Sequence, residues 1–336
     1  MMMKRAIWLA MLPSAAFLTT NANAAGAKNG AEGASLIEYA GYSNCVELKN
    51  ATTRVVLGHH CGGRVLEYSW KGRNAIYLDP EQNGWTYEPG KPTIGPTGGR
   101  MDIGPERIQP KRPDLWLGPW KAEIIGPRAA RMISVEDRPT SVQLTREFHL
   151  DADSSRLLVK QIMRNVSDRT VRCYHWSRTL TPGGGVCLVP LSSYSRLPSK
   201  FALYGPGPIL DYSPEDPNIR EREGFLEIFP VPGRPKLAID STAGWFSYLM
   251  PNDLLFIKTF PVYPDRVYGD LLANTISIYY IEKFCELEPL GPLEILKPGQ
   301  SASFTEEWRL APYPFPPEGK DVDLGDLTRF VQELSQ

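Results

Sequence analysis

The sequence lacks several features that would assign it to common functional classes. Of its 336 residues only four are histidine and five are cysteine, and no CxxC pair is present, so we expect no structural transition metal. It contains no phosphate-binding loop, HExxH helix, nucleophile elbow or dinucleotide-binding fingerprint. Lys and Arg total 37 against 38 Asp and Glu. This balance gives no general attraction to nucleic acid or to anionic membranes, and we predict no nucleic-acid partner.

The sequence also has no hydrophobic run long enough to span a bilayer, which takes roughly 20 residues. The apolar stretch at residues 6–18 follows Lys4 and Arg5, and a small-residue site at residues 22–24 comes after it. This pattern predicts a signal peptide over residues 1–24 and export to the periplasm or the outside of a bacterial cell. The alternative is an uncleaved N-terminal anchor.

The five cysteines have irregular spacing. An exported protein permits disulfides, but an odd count leaves at least one thiol free. Spacing alone does not define the geometry that a disulfide needs, so the pairing stays open. We interpret most of these residues as small buried side chains: Cys45, Cys61, Cys173, Cys187 and Cys285.

Composition and periodicity both favour β-structure. With 29 Gly, 31 Pro and 10% aromatic residues, the chain suits short strands joined by many turns. Apolar residues alternate with polar ones, as Val142, Leu144 and Phe148 do, and such stretches are bounded by turn residues. We predict one all-β domain over residues 37–336, a large antiparallel β-sandwich, after a flexible lead-in at residues 25–36.

Three segments depart from this alternation. At the C-terminus, five apolar residues fall on one helical face and predict a short helix packed on a sheet: Leu324, Leu327, Phe330, Val331 and Leu334. Residues 79–120 and 182–235 are rich in Pro, Gly and aromatics, which is typical of ordered loops that line a cleft. Trp85, Trp116 and Trp120 are candidates to stack on a sugar ring. The alternative for these aromatics is ordinary packing.

Three titratable residues are candidates for acid–base chemistry. His175 lies at a strand end before a Gly-rich loop, where an imidazole can transfer a proton near neutral pH. The alternative is a core histidine. Glu286 and Glu288 share one face of a strand, and burial would raise a carboxyl pKa toward the range needed for proton transfer. The alternative is that the strand leaves the core and both are exposed.

Arg100 follows two glycines, and Asp102 lies two residues later. A guanidinium held by such a turn can donate parallel hydrogen bonds to vicinal hydroxyls or to a carboxylate. We therefore place Arg100 in a predicted substrate-binding set.

Several motifs resemble the galactose mutarotase-like superfamily, and within it the DUF4380 family. They are Gly62-Gly63-Arg64-Val65-Leu66 with Gly72-Arg73-Asn74, Thr97-Gly98-Gly99-Arg100 with Gly104-Pro105-Glu106, Tyr174-His175-Trp176, Phe256-Ile257-Lys258-Thr259-Phe260, Cys285-Glu286-Leu287-Glu288-Pro289, and the run from Leu296 to Leu310. The resemblance covers most of the chain after the leader.

The resemblance implies a large twisted β-sandwich whose concave face binds a sugar. It also implies a ring-opening mechanism, in which a carboxylate takes the anomeric hydroxyl proton while a histidine protonates the ring oxygen. Glu286 or Glu288 would be the base, His175 the acid and Arg100 a hydroxyl clamp. Asp102 and Lys258 would join Arg100 and the three tryptophans in binding the substrate.

We therefore predict an exported carbohydrate-binding protein. Whether it is an enzyme stays open, and if it is active, the reaction is aldose 1-epimerase-type isomerisation. The alternatives are a non-catalytic module of the cell envelope and a polysaccharide lyase acting on a uronate-containing glycan. We expect no cofactor. A Ca²⁺ ion stays open, because loop carboxylates and carbonyls that bind it leave little sequence trace. A His–Glu pair facing across a sugar-sized gap would favour catalysis, and an aromatic face without that pair would favour binding alone.

Overall fold

A computed structural model describes residues 30–106, 108–205 and 209–334. Two antiparallel sheets, of fourteen and ten strands, pack face to face. The predicted signal peptide at residues 1–24 lies outside the described residues. Strands occupy residues 30–31 and 34–39, so the sheet begins inside the segment predicted as a flexible lead-in. The last residues of that predicted lead-in pair with neighbouring strands.

The fourteen-stranded sheet contains the following strands in chain order: β1 (Gly30–Ala31), β2 (Ala34–Tyr39), β3 (Tyr42–Lys49), β4 (Thr53–Gly58), β5 (Arg64–Trp70), β6 (Arg73–Asn74), β7 (Gly99–Gly104), β12 (Val171–Pro182), β14 (Phe201–Tyr204), β15 (Leu210–Asp211), β18 (Lys236–Ile239), β21 (Ile276–Tyr280), β22 (Phe284–Pro289) and β23 (Glu294–Leu296). Its central neighbours run in the order β7, β12, β22, β21, β18 and β14.

The ten-stranded sheet contains β8 (Lys121–Gly126), β9 (Ala129–Ile133), β10 (Val142–Leu150), β11 (Leu157–Asn165), β13 (Val186–Pro190), β16 (Ile219–Arg222), β17 (Phe225–Ile228), β19 (Trp245–Met250), β20 (Leu254–Thr259) and β24 (Ser301–Pro312). A 3-10 turn at Pro80–Gln82 and two helices, α1 (Pro113–Trp116) and α2 (Leu324–Leu334), complete the described structure. No helix in this part of the chain is long and apolar enough to cross a membrane.

The main core lies between the two sheets. Val142, Leu144 and Phe148 of β10 are fully buried there, and the alternate residue His149 is exposed. The inward positions of β10 are apolar except for the fully buried Arg146, whose Nη1 donates to the carbonyls of Gly63 and Gly99, and the alternate positions point outward. The predicted all-β antiparallel sandwich is confirmed.

The C-terminal helix α2 covers the outer face of the ten-stranded sheet. Leu324, Leu327 and Val331 are buried in a second apolar cluster with Leu249 and Leu255 of strands β19 and β20. This is the face that the sequence predicts, so the short C-terminal helix is also confirmed.

Strand β12 shows how the fourteen-stranded sheet divides its two faces. Cys173 belongs to the core between the sheets, and Ser177 accepts a 3.2 Å hydrogen bond from Lys258 of the opposite sheet. Trp176 and Arg178, on either side of Ser177, therefore point outward, away from the second sheet. This outer face carries the candidate site.

Candidate functional site

A cleft of about 750 Å³ lies on the outer face of the fourteen-stranded sheet. Strands β7, β12, β14, β18, β21 and β22 form its floor, and its walls are formed by residues 95–97 and 233–235 together with Gly205 and Ile209. Its aromatic lining is Trp176, Tyr204, Tyr279 and Phe284, and its charged lining is Arg100, Glu106, Arg178, Arg234, Lys236 and Glu286.

The strand register brings these side chains together from distant parts of the sequence. Arg178 pairs with Arg100 across β12 and β7. Glu286 of β22 pairs with Tyr279 of β21, and Tyr279 pairs with Lys236 of β18. Directly paired residues point to the same face of a sheet, so these pairings set the cations, the carboxylate and the ring side by side.

Glu286 is clamped by two guanidinium groups. Arg178 donates to its two carboxylate oxygens at 2.8 and 3.3 Å, and Arg100 Nη2 lies 3.5 Å from Oε1. Burial alone would raise the pKa of Glu286, but the charges of Arg178 and Arg100 outweigh it and hold the pKa well below its ordinary value. Glu286 is therefore a permanent carboxylate near neutral pH.

Glu288 lies beneath the cleft floor and is fully buried. Trp176 Nε1 donates to its Oε2 at 2.8 Å, and Lys236 Nζ donates to its Oε1 at 2.6 Å. Burial raises the pKa of Glu288 to about 7, although Lys236 opposes this shift and the charge of Glu286 adds to it. Glu288 is thus the carboxyl whose pKa suits proton exchange, and Trp176 and Lys236 separate it from the cleft.

Arg100 carries unsatisfied hydrogen-bond donors at the edge of the cleft. Its side chain is 6% exposed, and within the described structure its Nε and Nη1 have no hydrogen-bond partner. The guanidinium lies 5.2 Å from the ring centre of Trp116. Burial and the neighbouring charge of Arg178 lower the pKa of Arg100 to about 10, which still leaves it charged at neutral pH.

His175 does not share this face. It occupies an inward position of β12, is 1% exposed, and stacks on Phe304 of the opposite sheet with ring centres 5.7 Å apart. Burial lowers the pKa of His175 to about 3, so the imidazole is neutral. The predicted convergence of His175 with Glu286 or Glu288 is wrong, because strand alternation puts the histidine and the glutamates on opposite faces of one sheet.

Two members of the predicted substrate-binding set are occupied by other partners. Lys258 is fully buried between the sheets, 2.9 Å from Glu306 Oε2, so its prediction as a cleft residue is wrong. Asp102 lies on the outer face beside Trp176, but Arg112 donates to its two oxygens at 2.7 and 2.9 Å. The negative charge of Asp102 is therefore already balanced by Arg112.

The three predicted tryptophans have three different roles. Trp116 packs on Arg100 at the cleft edge. Trp120 is a core residue whose Nε1 donates to the Leu115 carbonyl at 2.9 Å. Trp85 is half-buried, and its carbonyl accepts a 2.6 Å hydrogen bond from Tyr42. Neither Trp85 nor Trp120 lines the described cleft, so the structure does not bring these two residues to the candidate site.

Sequence reasoning missed Trp176, Arg178 and Lys236. The sequence did contain a signal for Trp176 and Arg178. Val171, Cys173 and His175 occupy the apolar face of their strand, so Trp176 and Arg178 fall on the opposite face. Lys236 lies in a strand of four residues, which is too short to show a period.

All five cysteines lie in the described part of the chain. All five cysteines are buried and free, which confirms their interpretation as small buried side chains. Within the described ranges no group of three or more His, Cys, Asp or Glu residues is arranged to hold a metal ion. The Ca²⁺ option remains a prediction.

Comparison with solved structures places the fold. A galactose mutarotase-like protein from Lactobacillus casei superposes with a TM-score of 0.56 at 10% identity, over 80% of this chain and 100% of its own. The Slr1438 protein of Synechocystis gives 0.52 at 14%, over 82% and 99%. A candidate aldose 1-epimerase from Escherichia coli K12 gives 0.52 at 14%, over 79% and 98%.

No protein-family model matches the chain, and no curated protein matches it. Likeness at these identities establishes the fold alone. The chain has the fold of a galactose mutarotase-like β-sandwich.

Proposed function

We propose that this protein binds a saccharide in the outer-face cleft. The observation that supports it is the combination of rings and charged groups on one sheet face, where Trp176, Tyr204 and Tyr279 lie beside Arg100 and Glu286. Rings of this kind stack on the apolar face of a sugar, and charged groups bond its hydroxyls. The cleft volume of about 750 Å³ falls within the range of ligand sites.

Binding is the favoured function, because the cleft lacks a facing His–Glu pair. Glu286 is a charged carboxylate held by Arg178 and Arg100, and a group with so low a pKa is a weak base near neutral pH. Glu288 has a suitable pKa of about 7 but no exposed surface. Neither glutamate is therefore both exposed to a bound sugar and basic enough to accept its proton.

The second candidate is an aldose 1-epimerase-type isomerase, and the pKa of Glu288 is the observation that favours it. In that reaction Glu288 would take the anomeric hydroxyl proton and the Lys236 ammonium would protonate the ring oxygen, so that the ring opens and closes again on either face. Trp176 would have to move aside for the sugar to reach Glu288, since the indole now bonds that carboxylate.

Calorimetric titration with a panel of mono- and oligosaccharides tests the binding proposal. Trp176→Ala should weaken the best ligand by at least about tenfold, since buried aromatic anchors dominate such sites. Trp176 has Arg178 and Lys236 at 4.4 and 5.7 Å from its ring centre. Trp70→Ala is the matched control, because Trp70 has Lys71 and Arg73 at 4.7 and 4.9 Å but lies outside the cleft lining. Equal losses in both variants, or no saccharide binding by the wild type, would contradict the proposal.

Proton NMR of freshly dissolved anomers tests the isomerase candidate. Glu288→Gln should slow interconversion by about 10²–10⁴ if Glu288 is the base, while His175→Leu should not. A wild-type rate equal to the rate in buffer leaves binding as the function.

We also propose that the chain is exported, from the leader pattern at residues 1–24, and that it belongs with the DUF4380 proteins, from the motifs quoted above. Mass spectrometry of protein from the natural host tests export. A mature N-terminus at Ala25 is expected, and an intact Met1 on exported protein would contradict cleavage at this site.

A further inference from the structure

We infer that the saccharide bound by this cleft carries an anionic group, a carboxylate or a phosphate ester, and that Arg100 receives it. This inference rests on the proposed function and narrows its ligand class. Two observations carry it: the unsatisfied donors of Arg100 and the excess of cations around the cleft.

Arg100 is a buried cation without enough partners. Its Nε and Nη1 have none in the described structure, and its nearest carboxylate oxygen, on Glu286, is 3.5 Å from Nη2 and also bonded by Arg178. A buried charged group whose donors lack hydrogen-bond partners destabilises the protein by more free energy than one hydrogen bond usually contributes. A ligand that bonds these donors would remove that cost.

The cleft as a whole is short of negative charge. Arg100, Arg178, Arg234 and Lys236 line it, against Glu106 and Glu286. Counting the buried Glu288, which bonds Lys236, still leaves four cations against three carboxylates. Arg234 is half-buried and has no ion-pair partner in the described parts of the chain. Arg100, with one shared ion pair at 3.5 Å, and Arg234, with none in the described residues, are thus the two cations whose charge is least compensated.

A neutral sugar would not balance this arrangement. Hydroxyl groups can accept from Arg100, but they leave its charge uncompensated, whereas carboxylate and phosphate oxygens match a guanidinium in both charge and geometry. Trp116 covers one side of the guanidinium, which limits the movement of Arg100 before a ligand arrives. Arg178 lies 4.4 Å from the ring centre of the buried Trp176, so the half-buried rings of Tyr204 and Tyr279 in the same cleft are the ones available for the apolar face of the same sugar.

Calorimetry on the full chain tests this inference. The probes are galacturonate and glucuronate for the carboxylate class, glucose 6-phosphate for the phosphate class, and galactose and glucose as neutral counterparts, with acetate and inorganic phosphate as anions without a sugar. At least one anionic sugar should bind about tenfold or more tighter than its neutral counterpart. Added salt should reduce that preference, because it screens the attraction.

Arg100→Gln and Arg234→Gln test the residue assignment. Each should reduce the ratio of anionic-sugar to neutral-sugar affinity by about tenfold, because the lost charge matters more to an anionic group than to a hydroxyl. Arg164→Gln is the control, since Arg164 is exposed on β11 of the other sheet and has no ion pair in the described structure. Thermal melts followed by circular dichroism show whether each variant folds. If Arg100→Gln does not fold, Arg234→Gln, at a half-buried position, still tests the preference for an anionic sugar.

The outcomes separate the two proposals. Equal affinity for anionic and neutral sugars would overturn this inference and leave saccharide binding standing. Binding of acetate or phosphate as tight as that of the anionic sugars would overturn both, because no sugar ring would be recognised. A preference unchanged in both arginine variants would overturn the assignment to Arg100.

Discussion

Replacing His175 with leucine tests whether this residue belongs to the core rather than to a binding site. The imidazole is 1% exposed, neither ring nitrogen has a hydrogen-bond partner in the described structure, and Phe304 stacks on it. Leucine has a similar volume and no polar atoms to satisfy. At pH 7 we expect the free energy of unfolding to stay within about 1.5 kcal/mol of wild type, as for other volume-conserving core changes.

The pH dependence gives the decisive magnitude. Burial lowers the pKa of His175 to about 3, opposed by the nearby backbone of Ala302 and Gln161, whereas the unfolded chain has a histidine pKa near 6.5. The unfolded state therefore binds a proton that the folded state does not, and stability falls as pH falls from 6.5 toward 3. Between pH 7 and pH 5 this one group costs about 2 kcal/mol.

Urea unfolding of wild type and His175→Leu at both pH values measures this difference. The variant should lose about 2 kcal/mol less than wild type on going to pH 5. His149→Leu is the control, because His149 is exposed on β10 and its removal should leave the wild-type profile. Identical pH profiles for wild type and His175→Leu, or loss of saccharide binding in that variant, would refute the placement of His175 in the core.

Three further predictions follow from other parts of the fold. Lys258→Met should lower the free energy of unfolding by about 3–5 kcal/mol, since it leaves Glu306 as an unpaired buried charge. Adding Glu306→Gln should restore most of the lost stability. No recovery in the double variant would contradict a stabilising ion pair between these two residues. Leu327→Ala should cost about 2–5 kcal/mol in the same assay, because the Leu327 side chain is fully buried between α2 and the ten-stranded sheet. A smaller loss would mean that α2 is not firmly packed. Calorimetry of an anionic sugar should show weaker binding at pH 8 than at pH 6, because Glu288, with a pKa of about 7, gains a negative charge beneath the cleft; the change should disappear in Glu288→Gln.

Local patterns in the sequence were sufficient to predict the fold class. The alternation of Val142, Leu144 and Phe148 with polar neighbours appears as β10, with the apolar side buried. The apolar face of Leu324, Leu327 and Val331 appears as α2 on its sheet. Both signals are local, since one strand or one helix presents its whole period within a dozen residues.

The candidate site was predicted only in part, because it depends on which strands are neighbours. Arg100 and Glu286 do lie within 3.5 Å of each other, as the resemblance implies for a shared site. The chemistry of an imidazole favours His175 as a site residue, but His175 follows Val171 and Cys173 on an apolar face, and this pattern predicts its burial correctly. Lys258 resembled a cleft residue, but its partner Glu306 lies 48 positions away, and no local pattern shows that they meet between the sheets.

The most direct test of the proposed saccharide site is a crystal structure of the protein soaked with galacturonate. The account predicts a sugar ring on the outer face of the fourteen-stranded sheet, packed on the cleft rings Tyr204 and Tyr279, with its carboxylate about 2.7–3.2 Å from Arg100 nitrogens. An ordered galacturonate bound away from this cleft, for example on the ten-stranded sheet or beside Trp85, would contradict it.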